Sequence, residues 1–196
     1  MNKRNEENEA KLLLDAQRYR DRYETRANFF DPIRHIERDL MMRRDFDHEW
    51  REEVTKDGKK VEAKVSFDKN GAFLEISNNA IIEAHAGIGE ALHTLYHEIS
   101  HTILHTSKYC RQSKSYEMAR SGVYDIGSFR TDPEDEWEAN VFGSGLHIPI
   151  DMVFPETTVS VLKWQYKASE TKARRAIEQK RRLWKVIERI RNGRDD

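Results

Sequence analysis

The sequence predicts an α+β fold in which a small antiparallel sheet is flanked by helices. Short strand-like segments with turn-forming separators occupy residues 49–77, whereas helical patterns with capping signals fill the regions on both sides. The length of 196 residues suits one domain, or one domain with an appendage. We therefore divide the chain into N-terminal helices (1–45), a central core (46–155) and a C-terminal helical region (156–196).

Two helices are predicted before the sheet. Residues 6–27 contain neither glycine nor proline and carry many charged side chains. A second helix is expected to begin at Asp31 and Pro32, because aspartate is a favoured N-cap and proline a favoured first helical residue. This helix should extend to about Arg44.

Three strands are predicted to follow, over residues 49–54, 60–67 and 72–77. They are separated by Lys-Asp-Gly at 56–58 and by Asp-Lys-Asn-Gly at 68–71, which have the composition of hairpin turns. The simplest arrangement that these short connections allow is an antiparallel meander.

The composition excludes several classes of protein. Charged residues make up 35% of the chain, but 4 Trp, 7 Tyr and 8 Phe can build a core, so wholesale disorder is not expected. No apolar run approaches the ~18 residues that span a bilayer, and the N-terminus lacks the apolar stretch of a signal peptide. The single cysteine, Cys110, cannot form an internal disulfide. We expect a cytoplasmic protein with no membrane partner.

The C-terminal region is basic and is predicted to form two helical pieces that break near Ala168 and Ser169. Residues 163–196 contain 12 Lys or Arg and 5 Asp or Glu, although the whole chain has a net charge of −1. The region has a faint similarity to a helix-turn-helix, which would allow contact with DNA through its second helix. The simpler interpretation is a solvated amphipathic helix that packs on the domain through Leu183, Trp184, Ile187 and Ile190.

Residues 87–105 carry the most informative pattern of the sequence. On a helical wheel, one stripe is apolar and comprises Ile88, Leu92, Leu95, Ile99 and Ile103. The opposite side carries His97 and His101, which with Glu98 form the pattern H-E-x-x-H. Four residues advance about 6 Å and turn about 400°, so both imidazoles lie on one face and can bind one Zn²⁺. Glu98 is then the candidate general base. The alternative is a histidine-rich solvent face.

A catalytic zinc usually has three protein ligands and one open position, so a third ligand should come from another element. Cys110, His147 and Glu136 are the candidates. A helix is expected to begin at Asp132 and Pro133 and to end near 143–145, and it places Glu136 on one stripe with Ala139, Asn140 and Gly143. Ala139 and Gly143 are small and would allow close packing on the histidine helix, with Glu138 facing solvent. The alternative role for Glu136 is an N-terminal acid that the helix dipole favours.

Two linked motifs resemble those of the ImmA/IrrE family of zinc metallo-endopeptidases. His97-Glu98-Ile99-Ser100-His101 followed by Thr102-Ile103-Leu104-His105 is similar to the family's metal helix, and residues 136–149 resemble its E-x-E-A-N block with the proline that follows. The resemblance covers residues 73–149. It departs from the family pattern at Ser100, at Gly143, at His147-Ile148 and in the length of the predicted connection over residues 106–135.

The resemblance implies a zincin-like, minimal gluzincin domain. It implies Zn²⁺ on His97, His101 and Glu136, with Glu98 as the catalytic acid/base; Mn²⁺ or Fe²⁺ can occupy the same kind of ligand set. It also implies a protein substrate, typically a transcriptional repressor of the helix-turn-helix type in a bacterium or phage. The alternative function is a non-proteolytic anti-repressor or toxin–antitoxin module that uses a structural zinc fold.

Further site residues are expected around this centre. A strand that binds the substrate backbone by strand addition is expected to comprise Phe73, Leu74, Glu75, Ile76 and Ser77. Candidates for oxyanion stabilisation or for support of the metal ligands are His93, His105, Tyr109, Tyr124, Asn140 and His147. The long connection over residues 106–135 is a candidate lid over the site.

Overall fold

A computed structural model describes residues 3–24, 28–56, 58–119 and 132–193. The fold is α+β, as predicted. Its helices are α1 (Lys3–Arg20), α2 (Pro32–His35, continued by a π-helical turn over Ile36–Leu40), α3 (Asn78–His85), α4 (Gly89–Ala119), α5 (Pro133–His147, followed by a 3₁₀ turn over Ile150–Met152), α6 (Val159–Tyr166) and α7 (Glu170–Arg191). Its strands are β1 (Phe46–Arg51), β2 (Val54–Lys56), β3 (Lys59–Val61), β4 (Ala63–Phe67) and β5 (Ala72–Ser77).

Side-chain caps begin the helices at the positions that the sequence predicts. The Asp31 side chain accepts hydrogen bonds from backbone N–H groups at the start of α2, and Asp132 does the same for α5. Ser169 caps α7, which confirms the break between the two C-terminal helices. The predicted helix ends are less accurate. Helix α1 ends at Arg20, where residue 27 was predicted, and α5 continues to His147, where an end near 143–145 was predicted.

The sheet is mixed, which corrects the predicted antiparallel meander. Its strand order is β1-β5-β4, with β1 parallel to β5 and β4 antiparallel to β5. The strands predicted at 49–54 and 60–67 each break in two, and the inner halves pair as a separate β2–β3 hairpin. This excursion carries the chain away from β1, so that β4 pairs with β5 alone and β1 takes the opposite edge of β5.

The central position of β5 overturns the predicted substrate strand. Both edges of Phe73–Ser77 are already occupied, by β1 and by β4, so a substrate backbone cannot add to this strand. The Ser77 N–H donates to the Glu62 carbonyl at one end of the β4–β5 pair, and the Asp68 N–H donates to Gly71 at the other. Because pairing alternates along an antiparallel ladder, Ala63, Val65 and Phe67 direct their backbone N–H and C=O groups to the outer edge of β4.

Helix α4 is much longer than predicted. It continues to Ala119, so the predicted connection from Thr106 is wrong over its first part. Thr106 and Tyr109 are buried, and the Thr106 hydroxyl donates to the Thr102 carbonyl, so polar residues here line a packed helix face. Helix α3 was not predicted. Residues 120–131, with Tyr124 and the middle of the expected lid, lie outside the described residues.

The core forms where α4 and α5 pack together and α1 covers α5. Leu183 and Ile187 of α7 are buried against Leu13 and Leu14 of α1, which confirms the predicted packing of this stripe, although Trp184 is exposed. Arg20 is fully buried, and its guanidinium donates to the carbonyls of Leu146, His147 and Asn28. Among the described residues, no helix combines the length and apolar character that crossing a membrane requires.

Candidate metal centre

Close packing of α5 on α4 creates the candidate metal centre. A Cβ added at Gly143 would lie 3.1 Å from the Tyr96 carbonyl oxygen and 3.2 Å from the His97 nitrogen. Ala139, one turn earlier on α5, has no exposed surface. The predicted stripe of small residues therefore allows α5 to approach the histidine face of α4, and its first turn carries Glu136 to that face.

The ligand atoms of His97, His101 and Glu136 converge. The two Nε2 atoms are 3.1 Å apart, and the Glu136 Oε2 lies 3.2 Å from that of His97 and 3.6 Å from that of His101. A tetrahedral zinc with ligands at 2.0–2.1 Å requires separations of about 3.3–3.4 Å between its ligand atoms. The three side chains therefore fit a zinc ion.

Neither of the other two candidates for the third ligand joins this group. Among the described residues, the groups of nearby ligand atoms are His97 with His101 and Glu136, and His105 with Asp135 and Glu138. His147 instead directs its Nε2 to the Tyr166 carbonyl at 2.8 Å. Of the three candidates, Glu136 is thus the one that the fold brings to both histidines.

The remaining ring nitrogens of the two histidines show what surrounds the centre. The Nδ1 atoms of His97 and His101 are buried, and neither has a hydrogen-bond partner in the part of the chain that the structure describes. A histidine that binds metal through Nε2 normally donates its Nδ1 proton to an acceptor. A zinc ion bound at both Nε2 atoms would leave these Nδ1 groups without a protein acceptor among the described residues.

Glu98 lies on α4 beside His97 and is partly buried. Burial raises the pKa of the Glu98 carboxyl to about 7. The charges of His97 and Lys56 and a hydrogen bond from the Val65 backbone act in the opposite direction and lower this pKa. A carboxyl with a pKa near neutrality can both accept and return a proton. The contact with Val65 also places the outer edge of β4 next to Glu98.

The side chains of His105, Asp135 and Glu138 have a structural role, because they join α4 to α5. Both carboxylate oxygens of Asp135 are engaged by Lys108 Nζ, at 2.6 and 2.8 Å, and one also accepts from the Tyr109 hydroxyl. His105 Nε2 lies 3.2 Å from the Asp135 carbonyl oxygen, in the position of a donor. Since Asp135 is already neutralised by a cation, it is a poor ligand for a second metal.

Several predicted roles change in this setting. Tyr109 stacks on Phe67 and its hydroxyl donates to Asp135, so this candidate joins α4 to α5 and to the sheet. Glu138 is partly buried, 3.9 Å from His105, where full solvent exposure was expected. Asn140 donates to the Glu136 backbone carbonyl at 2.7 Å.

Four site neighbours were missed by the sequence analysis. Lys108 lies in the segment predicted as a loop, and Lys56 and Val65 approach Glu98 only through the tertiary fold. The acidic first turn of α5 was the available signal for Asp135.

Comparisons with protein-family models, with curated proteins and with solved structures find no match to this chain. The family resemblance of its two motifs therefore stays a prediction, and the geometry of the site has to be interpreted from its own residues.

Proposed function

We propose that this protein is a zinc-dependent endopeptidase of zincin-like architecture. The observation that carries the proposal is the convergence of His97, His101 and Glu136 from two helices, with ligand-atom separations of 3.1–3.6 Å, beside the carboxyl group of Glu98. A purely structural zinc site is normally closed by four protein ligands. Three ligands next to a partly buried carboxylate favour a site that works on a substrate.

Zinc, when bound by these three residues, supplies a Lewis acid that polarises a carbonyl and activates water. Glu98 is positioned to take a proton from the attacking water on its carboxylate and to pass it to the leaving amine. The outer edge of β4 offers the backbone groups of Ala63, Val65 and Phe67 to an extended peptide. This edge replaces Phe73–Ser77 as the proposed substrate strand.

The resemblance to the ImmA/IrrE family favours a helix-turn-helix repressor as the substrate and a role in bacterial or phage regulation. The competing proposal is a binding module that holds zinc and does not cleave its partner. The two differ in one outcome, because both require zinc but only the peptidase requires the Glu98 carboxylate.

The first test is the zinc content of untagged protein purified without chelator. We expect about one zinc per chain in the wild type and a clear loss in Glu136→Ala. Glu138→Ala is the matched control, because it removes a second acid from the same helix outside the proposed ligand set. An unchanged zinc content in Glu136→Ala, or no zinc in any variant after zinc is offered, would overturn the proposed centre.

The second test measures cleavage of a peptide library by mass spectrometry. We expect the wild type with zinc to generate new peptide termini and Glu98→Gln, with its zinc retained, to lose this activity by at least about 100-fold. Glu90→Gln, on an exposed side chain in the first turn of the same helix, is the control. Equal cleavage by Glu98→Gln would refute its role, and binding without cleavage would favour the non-proteolytic module.

A further inference from the structure

The last two helices of the described chain, α6 and α7, form a unit with a hydrophobic cluster of its own. Three residues connect them, and the first of these, Lys167, has a left-handed backbone with a φ of 53°, so α6 ends there and the chain turns. The buried cluster contains Leu162 and Tyr166 of α6 and Ala173 and Ala176 of α7. Two helices that share a core across such a short turn have the connectivity of a helix-turn-helix.

The side of α7 that faces away from this core is exposed and mostly basic. Ala173, Ala176 and Leu183 recur at helical spacing on the buried side. The exposed side carries a second series at helical spacing, which consists of Thr171, Arg174, Glu178, Arg181 and Lys185. We name this series, together with Arg175 beside it and Lys163 on α6, the basic face. Residues 163–185 contain nine Lys or Arg and two Glu, although the net charge of the whole chain is −1.

Cations from both helices meet on the basic face. A hydrogen bond from Arg174 lowers the pKa of Glu170 at the start of α7, and the charges of Arg174 and Lys163 lower it further. One cation from each helix therefore faces this carboxylate, so the exposed sides of α6 and α7 form one continuous surface.

The fold itself does not use most of these charges. The ion pairs that join α7 to α1 involve Arg182 with Glu9 and Arg189 with Glu7, outside the basic face. Four cations of the basic face form no ion pair with any described residue, namely Lys163, Arg175, Arg181 and Lys185. Like charges that accumulate without partners repel one another, which a helix required only for packing does not need. The basic face is therefore suited to an anionic partner.

The arrangement of the two helices favours duplex DNA as that partner. In helix-turn-helix proteins the second helix enters the major groove with its N-terminal residues at the base edges, and the first helix crosses the backbone. Thr171 and Arg174 lie in the first turns of α7, and Lys163 lies on α6. Arginine can form two hydrogen bonds to guanine in the major groove. The deep, narrow major groove of duplex RNA does not admit such side chains.

We propose that the basic face binds duplex DNA, with the first half of α7 in the major groove and Lys163 on the phosphate backbone. Thr171 and Arg174 contact base edges, and the remaining cations of the basic face contact phosphates. Glu170 Oε1 accepts from Arg174 Nε at 2.9 Å and from its second guanidinium nitrogen at 2.6 Å, which holds this side chain in place before DNA binds. The proposal does not depend on the peptidase, because the basic face shares no residue with the candidate metal centre.

The first test is fluorescence anisotropy of a labelled mixed-sequence DNA duplex of about two helical turns, titrated with the full chain at several salt concentrations. We expect micromolar or tighter binding at low salt, with the logarithm of the affinity falling linearly with the logarithm of the salt concentration. The double variant Arg175→Gln, Arg181→Gln should bind at least about tenfold more weakly and lower this slope by about two. Arg18→Gln, on an exposed side chain of α1, is the matched control and should bind like the wild type.

The second test asks whether α7 reads bases. Selection from a library of random duplexes should enrich a preferred sequence. Arg174→Lys keeps the charge and loses the two-pronged geometry, so we expect it to bind mixed-sequence DNA normally and to prefer the selected sequence at least about tenfold less than the wild type. An equal preference in both proteins, or no enrichment by the wild type, would refute the placement of α7 in the major groove.

Two comparisons separate this surface from other partners and from the metal centre. Glu136→Ala should bind DNA like the wild type whether or not it retains zinc. Polyglutamate and duplex RNA, at equal charge, should compete for the protein more weakly than duplex DNA. Polyglutamate that competes equally well would assign the basic face to an acidic protein. Absence of DNA binding at low salt, or equal weakening by Arg18→Gln and by the double variant, would overturn the site.

Discussion

Titration of His147 should make the stability of this fold depend on pH. The pKa of this buried imidazole is lowered to about 4 by burial, compared with 6.5 in an unfolded chain. Between these two values the unfolded chain binds more protons than the folded one, so stability rises with pH through this window and is lost as pH falls through it. At pH 5 the loss from His147 amounts to about 2 kcal/mol relative to pH 7.

The assay is urea unfolding of the wild type and of His147→Gln at pH 7 and pH 5. Glutamine keeps a donor for the Tyr166 carbonyl and does not titrate. The variant should lose about 2 kcal/mol less than the wild type on acidification. The buried His35 lies among Tyr19, Tyr23 and Phe30, so its titration contributes equally to both proteins. His85→Gln, on an exposed side chain, is the control. Equal acid sensitivity of wild type and His147→Gln would refute the reasoning.

Three further substitutions probe the packing around the site. Gly145→Ala should lower the free energy of unfolding by about 1 kcal/mol, because the new Cβ would lie 2.8 Å from the Ala16 Cβ. This overlap outweighs the gain in helix propensity, and an unchanged urea midpoint would contradict the prediction. Asp135→Asn should cost about 1–3 kcal/mol by removing the charged acceptor of Lys108, while zinc per chain stays constant; loss of a metal equivalent would instead make Asp135 a ligand. Arg20→Ala should lower the free energy of unfolding by about 3 kcal/mol or more, because it opens a cavity and leaves buried carbonyls without their donor. A near-neutral effect in thermal or urea unfolding would mean that water replaces the guanidinium.

Local signals in the sequence predicted the helix starts and the residues that converge at the candidate centre. Asp31, Asp132 and Ser169 cap the helices that they were expected to cap, because capping depends only on a side chain and the next three residues. The pair His97 and His101 was predicted in the same way, since helical spacing alone puts both on one face. The small residues of α5 indicated that Glu136 lies close to this face.

The predictions that failed depended on long-range pairing or on polar faces that the fold buries. Nothing in residues 46–51 indicates that they pair in parallel with a strand more than twenty residues later, because the intervening hairpin decides it. The continuation of α4 beyond Thr106 was missed because polar side chains such as Lys108 and Tyr109 bind Asp135 of α5, and hydropathy alone cannot distinguish such a helix from a loop.

The sequence by itself thus determined the helix that carries His97 and His101 and identified Glu136 as a candidate, since both follow from helical periodicity. The tertiary structure decided which candidate meets the histidines, because that depends on how closely α5 approaches α4 at Gly143. It alone placed β4 beside Glu98 and brought Lys172 and Arg175 of α7 to the buried imidazoles of His93 and His147. These contacts join distant parts of the chain, and only the packing of the complete core fixes such distances.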